Sequence, residues 1–145
     1  MRPKKRQSKP FSARFDVEVV ERLSSRSARV GQSSARLAER LIDEGLRMDE
    51  FPGTVFRTGP TGRRAGLVGG PDVWEIVRDV KRAAREGVDD PVGAVSAGTG
   101  LERGKVELAL GYYGAYPDEI DERIELDEEA ANRLRRALDG AASRP

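Results

Sequence analysis

The chain has 145 residues, of which 37% are apolar and 35% charged, with a formal net charge of +1. It contains no cysteine and no histidine, which excludes disulfide frameworks, thiolate and imidazole catalysis, Ser-His triads and His or Cys metal sites, and leaves carboxylate chemistry as the one route to an enzyme. No apolar run approaches the roughly 18 residues that cross a bilayer, and no apolar signal segment follows the basic start, so the sequence predicts a cytoplasmic protein without a membrane partner.

The small net charge conceals an asymmetry. Residues 1–36 carry a balance of +7 and residues 116–145 a balance of −4. A basic head points to a polyanion partner, and an acidic tail to solvation or a basic protein surface.

Residues 1–8 read as a flexible basic arm containing Lys4, Lys5 and Arg6, with Lys9 just beyond it. The stretch PFSARFD then alternates. Phe11, Ala13 and Phe15 face one way, Pro10, Ser12 and Arg14 the other, the period of a half-buried strand. Asp16 is placed to cap a helix whose Val20, Leu23 and Val30 fall near one face, interrupted by Ser27. Gly31 ends it, and Ser33 caps a second helix with an apolar stripe of Leu37, Ala38, Leu41, Ile42 and Leu46. No second strand lies within reach of the first. A symmetry-related copy is the simplest partner for it, giving an antiparallel two-stranded ribbon that buries Phe11, Ala13, Phe15, Leu37 and Leu41 in a dimer core. Such a ribbon fits the major groove of DNA.

Over residues 9–48 the alternating FSARF, the capping Asp16 and the GQSS turn resemble the ribbon-helix-helix family of repressors and antitoxins. The resemblance implies base reading by Pro10, Ser12 and Arg14. It also implies phosphate binding by Ser33 and Ser34 at the second helix's N-terminus, with the arm residues as further phosphate contacts.

Residues 49–53 read as a linker. Beyond it, TVF and RRAGL flank GPTG as a small β-hairpin. Pro71 falls at a first helical position, followed by a helix with Val73, Ile76, Val77, Val80 and Ala84 on one side and Trp74, a partly buried core aromatic, beside them. Asp90-Pro91 opens a short helix, GTG supplies a turn, and a longer helix carries Val106, Ala109, Leu110 and Tyr113. This is a helix-turn-helix pattern, with Arg103 and Lys105 near the start of its second helix and Arg63 and Arg64 in the hairpin as candidates for a second DNA contact. The run from VFR through PDVWEIV to ALGYYGAYPDEIDERI, within residues 54–125, is similar to a small domain of unknown function, classed with helix-turn-helix folds, that recurs in VapB-type antitoxins.

Residues 126–145 read as a separate amphipathic helix and tail, capped by Asp127 and stopped at Gly140. Asp118, Glu119, Asp121, Glu122 and Glu125 raise a metal-dependent nuclease reading, which is set aside because acidic clusters around short helices are ordinarily solvated faces.

The fold expected is therefore mainly α: a ribbon-helix-helix dimerisation and DNA-binding domain, then a hairpin plus helix-turn-helix domain, then a C-terminal helix. The resemblance implies a type II antitoxin without a cofactor or enzymatic activity. Such a protein binds promoter DNA as a homodimer, represses its own operon and neutralises a PIN-type ribonuclease toxin, with Leu134, Leu138, Arg133, Arg135 and Arg136 as the toxin-facing candidates. A repressor without a toxin and an interaction adaptor without specific DNA binding are the alternatives.

Overall fold

The computed structural model describes residues 6–142, so Lys4 and Lys5 of the arm lie outside the described residues. The protein is mainly helical, with six helices and one small two-stranded antiparallel sheet among the described residues. Two compact units divide it, residues 1–43 and residues 44–145.

In the first unit no helix or strand forms among the described residues before Asp16, so the strand expected over Pro10–Phe15 is absent from the single chain. The Asp16 carboxylate accepts from the Glu18 amide at 2.8 Å and opens helix α1, Val17–Val30. Gly31, at φ 64°, closes it in the left-handed region that a side chain resists. Ser33 Oγ accepts from the Arg36 amide at 3.2 Å and starts helix α2, Ser34–Glu50. Ser27, a polar break in the α1 stripe, is buried because its hydroxyl bonds the Ser34 hydroxyl at 3.0 Å, which ties the two helices together across the turn. The second helix is longer than its apolar stripe suggests, and its last two turns, from Glu44, belong to the second unit.

The second unit begins with those two turns. Residues 49–53 are no free linker: Phe51 packs edge-on against Tyr112, with ring centroids 5.5 Å apart, and Gly53 holds φ 103° where a Cβ would collide with Leu108. Strands β1, Thr54–Gly59, and β2, Gly62–Leu67, pair with Gly59 opposite Gly62, leaving Pro60 and Thr61 as the hairpin tip. Helix α3, Val73–Arg85, starts two residues later than Pro71 at a first helical position implies. Asp72 is its N-cap, and the Asp72 amide donates to Glu75 at 2.9 Å as in a capping box. Helix α3 is the centre of the unit, packing on β2, on helices α4, Pro91–Thr99, and α5, Arg103–Ala115, and on helix α6, Pro117–Ala142. Val73, Ile76 and Val77 from α3 meet Leu67, Val95, Val106, Ala109, Tyr112, Ile120 and Ile124 in the core, with Trp74 half-buried at its edge.

The largest departure from expectation is α6. It starts at Pro117 and runs unbroken through Asp127 and Gly140. Asp127 is not a cap. Its carboxylate accepts from Arg78 of α3 at 3.2 Å, so a residue that looks like a helix start in the sequence is a mid-helix tie to the core.

Charged pairs brace the hairpin and helices. Asp72 is buried and accepts from Arg57 at 2.8 Å and from Arg64. Breaking a buried pair costs about 3 to 5 kcal/mol, less where the stranded guanidinium can rehydrate, as half-exposed Arg57 and Arg64 can. Asp72→Ala is therefore expected to lower the unfolding free energy by about 2 to 3 kcal/mol in urea titration, while Asp127→Ala, at a solvated pair, costs under about 1 kcal/mol.

Candidate functional site

The first unit carries a run of exposed apolar side chains. Phe11 is 82% exposed and Phe15 58%, as open as Ser12 and Arg14 beside them, so in one chain the alternation of this segment has no inner face. Phe15 borders a groove whose apolar lining comes from Val19, Val20 and Leu23 of α1 and from Ala38, Leu41 and Ile42 of α2. Of the residues assigned to a dimer core, Leu37 is fully buried within the chain and Leu41 lies open on the groove. Val19 was missed by sequence reasoning, although it stands four residues after Phe15 and four before Leu23, the spacing of one helix face.

The polar candidates in this unit divide by what their side chains already do. Arg6, Lys9, Pro10, Ser12 and Arg14 are exposed. The Ser33 hydroxyl is occupied as the α2 cap and the Ser34 hydroxyl by Ser27. Any anion at that helix start would be met mainly by backbone amides.

In the second unit three of the four basic candidates are structural. Arg63 and Arg64 are neighbours in β2, and a strand sends neighbours to opposite faces. Arg63 binds the buried Glu44 carboxylate, one bond measuring 2.7 Å, and Arg64 binds Asp72. Arg103 donates to Asp90 at 2.8 and 3.2 Å and to Glu107 at 3.1 Å. The Arg103 guanidinium, with help from the Gly93 amide, holds the Asp90 carboxyl below its ordinary range. Lys105 is exposed, with one long contact of 3.5 Å to the Val68 carbonyl. Helices α4 and α5 are joined across the Gly100 turn, and Arg103 at the start of α5 serves chiefly to join α5 to the α4 cap.

The acidic cluster is likewise divided among partners. Glu119 accepts from Arg47 at 2.8 Å and from the Tyr112 hydroxyl at 2.5 Å, and Asp121 accepts from Lys81 at 2.7 Å and Tyr113 at 2.9 Å. Burial, reinforced by the Glu119 acceptor, pushes the Tyr112 phenol up, and the Lys81 ammonium holds the Asp121 carboxyl down. Among the described residues no group of acidic side chains is arranged to hold a metal ion.

At the other end, α6 is exposed from Glu128 to Ala142, and Leu134 and Leu138 are each 61% exposed together with Arg133, Arg135 and Arg136.

No protein-family model matches the chain, and no match is found among curated proteins or solved structures.

These placements separate scaffold charges from free ones. Arg64→Ala is expected to lower the urea midpoint measurably while leaving affinity for duplex DNA within about threefold, under 1 kcal/mol. A filter-binding titration beside the unfolding curve checks both; a larger loss of binding with no loss of stability would return Arg64 to the interface.

Proposed function

We propose that this chain is a homodimeric, DNA-binding transcriptional repressor of the VapB antitoxin type. The observation that carries the reading is the open apolar surface of the first unit: Phe11 and Phe15 stand in solvent, and Phe15 borders a groove built from α1 and α2. A unit that leaves two phenylalanines exposed together with Val19, Val20, Leu41 and Ile42 on the groove calls for a partner, and a self-complementary segment finds one in a second copy. Pairing the two Pro10–Phe15 segments antiparallel turns Phe11, Ala13 and Phe15 onto the grooves and turns Pro10, Ser12 and Arg14 outward on a ribbon of major-groove width. Arg14 suits guanine O6 and N7 as a two-pronged donor, while Ser12 accepts several bases. Arg6 and Lys9, continuing the basic arm, supply phosphate contacts, and the amides at the start of α2 hold a further phosphate.

In this reading the second unit positions α6, and the exposed part of α6 is the toxin-neutralising element. Its three arginines are free to meet the carboxylate-rich site of a PIN-type ribonuclease, where charge-assisted hydrogen bonds are strong.

Two experiments test the parts separately. Phe15→Asp places an uncompensated carboxylate in the proposed interface at a cost of several kcal/mol, so light scattering should find the N-terminal association lost. Arg14→Ala should cost about 1 to 3 kcal/mol on operator DNA and far less on random duplex. Equal losses on both would remove Arg14 from base readout.

A chain ending at Asp127 keeps Ile120, Ile124 and the Arg78 pair, and so keeps the packed second unit. It is expected to repress its promoter but to fail to protect cells expressing the toxin encoded beside it. Protection equal to that of the full chain would move neutralisation into the packed part of the second unit.

A further inference from the structure

The buried face of α6 does not end where the core ends. Ile120 and Ile124 are buried, and Asp127 is half-buried in its pair with Arg78. Continuing from them, Ala131, Leu134, Leu138 and Ala141 fall at alternating steps of four and three residues, all exposed. This is the repeat of a helix that packs along another helix, and the core of the unit covers only its first two turns. The remaining helix, from Glu128 to Ala142, is about 22 Å long at 1.5 Å per residue, and an isolated helix of that length is marginal in water.

The flanks of the stripe identify its partner. Glu128 and Arg135 border one side, and the small residues Ala130 and Ala137 border the other. Laid antiparallel on itself about a twofold axis between Asn132 and Arg133, the helix sets Ala131 opposite Leu134 of the copy and Asp127 opposite Leu138. The same register brings Glu128 beside Arg135 of the copy twice, once on each side of the axis, and sets Ala130 beside Ala137, where small side chains permit close approach. A parallel arrangement forms no Glu128–Arg135 pair: it sets Arg135 beside Ala130 of the copy, and the cation it brings to Glu128 is Arg123, which already donates to the Thr61 carbonyl at 3.1 Å.

We propose that the exposed half of α6 pairs antiparallel with the same segment of a second copy, with Ala131 and Leu134 at its centre, Leu138 toward each end, and Glu128–Arg135 pairs fixing its direction. This contact is independent of the one assigned to Phe11 and Phe15, and it links dimers into tetramers. The patch is small against the roughly 800 Å² per partner of a stable interface, so it associates in the micromolar range alone and is strengthened when two tails are presented together.

The test is sedimentation velocity on the full-length chain carrying Phe15→Asp, which removes the N-terminal contact, over about 1 to 200 µM. Reversible dimerisation is expected. Leu134→Asp should abolish it without loss of helical circular dichroism, since Leu134 is exposed. Glu128→Arg and Arg135→Glu should each weaken it at least about tenfold, and the two together should restore it. A chain that stays monomeric throughout the range, association indifferent to Leu134→Asp, or a double reversal no better than the single ones would each overturn the proposal. The same substitutions with Phe15 intact read the dimer-to-tetramer step, so failure of the ribbon reading and failure of this one give different oligomers.

Discussion

The second unit depends on one carboxylate. Arg57 and Arg64 stand directly opposite each other across the hairpin, a like-charge pair that would push the strands apart if nothing lay between them. Asp72 lies between them, accepting from both while its backbone amide is held by Glu75. A single buried side chain therefore offsets the repulsion between two arginines on the hairpin face turned away from Phe56, Ala65 and Leu67, and sets the starting point of α3. Because α3 is the helix on which β2, α4, α5 and α6 all pack, the direction fixed at Asp72 is inherited by the rest of the unit. Arg47 secures the last turn of α2 to the same core. It donates to both the Tyr112 hydroxyl and Glu119 and lies 4.0 Å from the Tyr116 ring centroid. Burial works against its charge, and the two hydrogen bonds more than offset that, raising its pKa.

What could be read from the sequence was what local chemistry decides. Asp16, Gly31, Ser33, Asp90-Pro91 and Gly100 each terminate an element through bonds within a few residues, and each stands where the pattern predicts. The errors share the opposite cause. Asp127 has the chemistry of a cap, but Arg78, 49 positions earlier in the chain, claims it. Phe51 sits before Pro-Gly, the signature of a loose connection, but Tyr112 and Tyr116 make it part of an aromatic cluster. Arg63 and Arg64 look like one basic patch in one dimension. Strand alternation sends them to different carboxylates, and that much was legible without a structure. Glu44 and Asp72 as their partners were not.

The two open apolar surfaces lie near opposite ends of the sequence and differ in kind. Around Phe11 and Phe15 the apolar groups sit on a segment with no helix or strand of its own, so covering them requires main-chain pairing as well as side-chain burial. On α6 the backbone is already satisfied within the helix, and only the side chains seek cover. The first surface therefore favours a partner that offers a strand edge, which the same segment of another copy does. The second accepts any helix or groove with matching spacing, and only the flanking charges narrow the choice.

That difference bears on regulation. A contact made by main-chain pairing is all or none, because its hydrogen bonds and its apolar burial form together. A short helix pair is graded, since its strength follows the concentration of tails and each flanking charge contributes separately. Under the proposed function, a repressor that joined an N-terminal dimer to a weak C-terminal contact would bind one operator site at low concentration and bridge neighbouring sites as it accumulated. A protein that occupied Leu134 and Leu138 would then remove the bridge without touching Arg14, so that partner binding at one end of the chain would change DNA occupancy at the other through mass action alone.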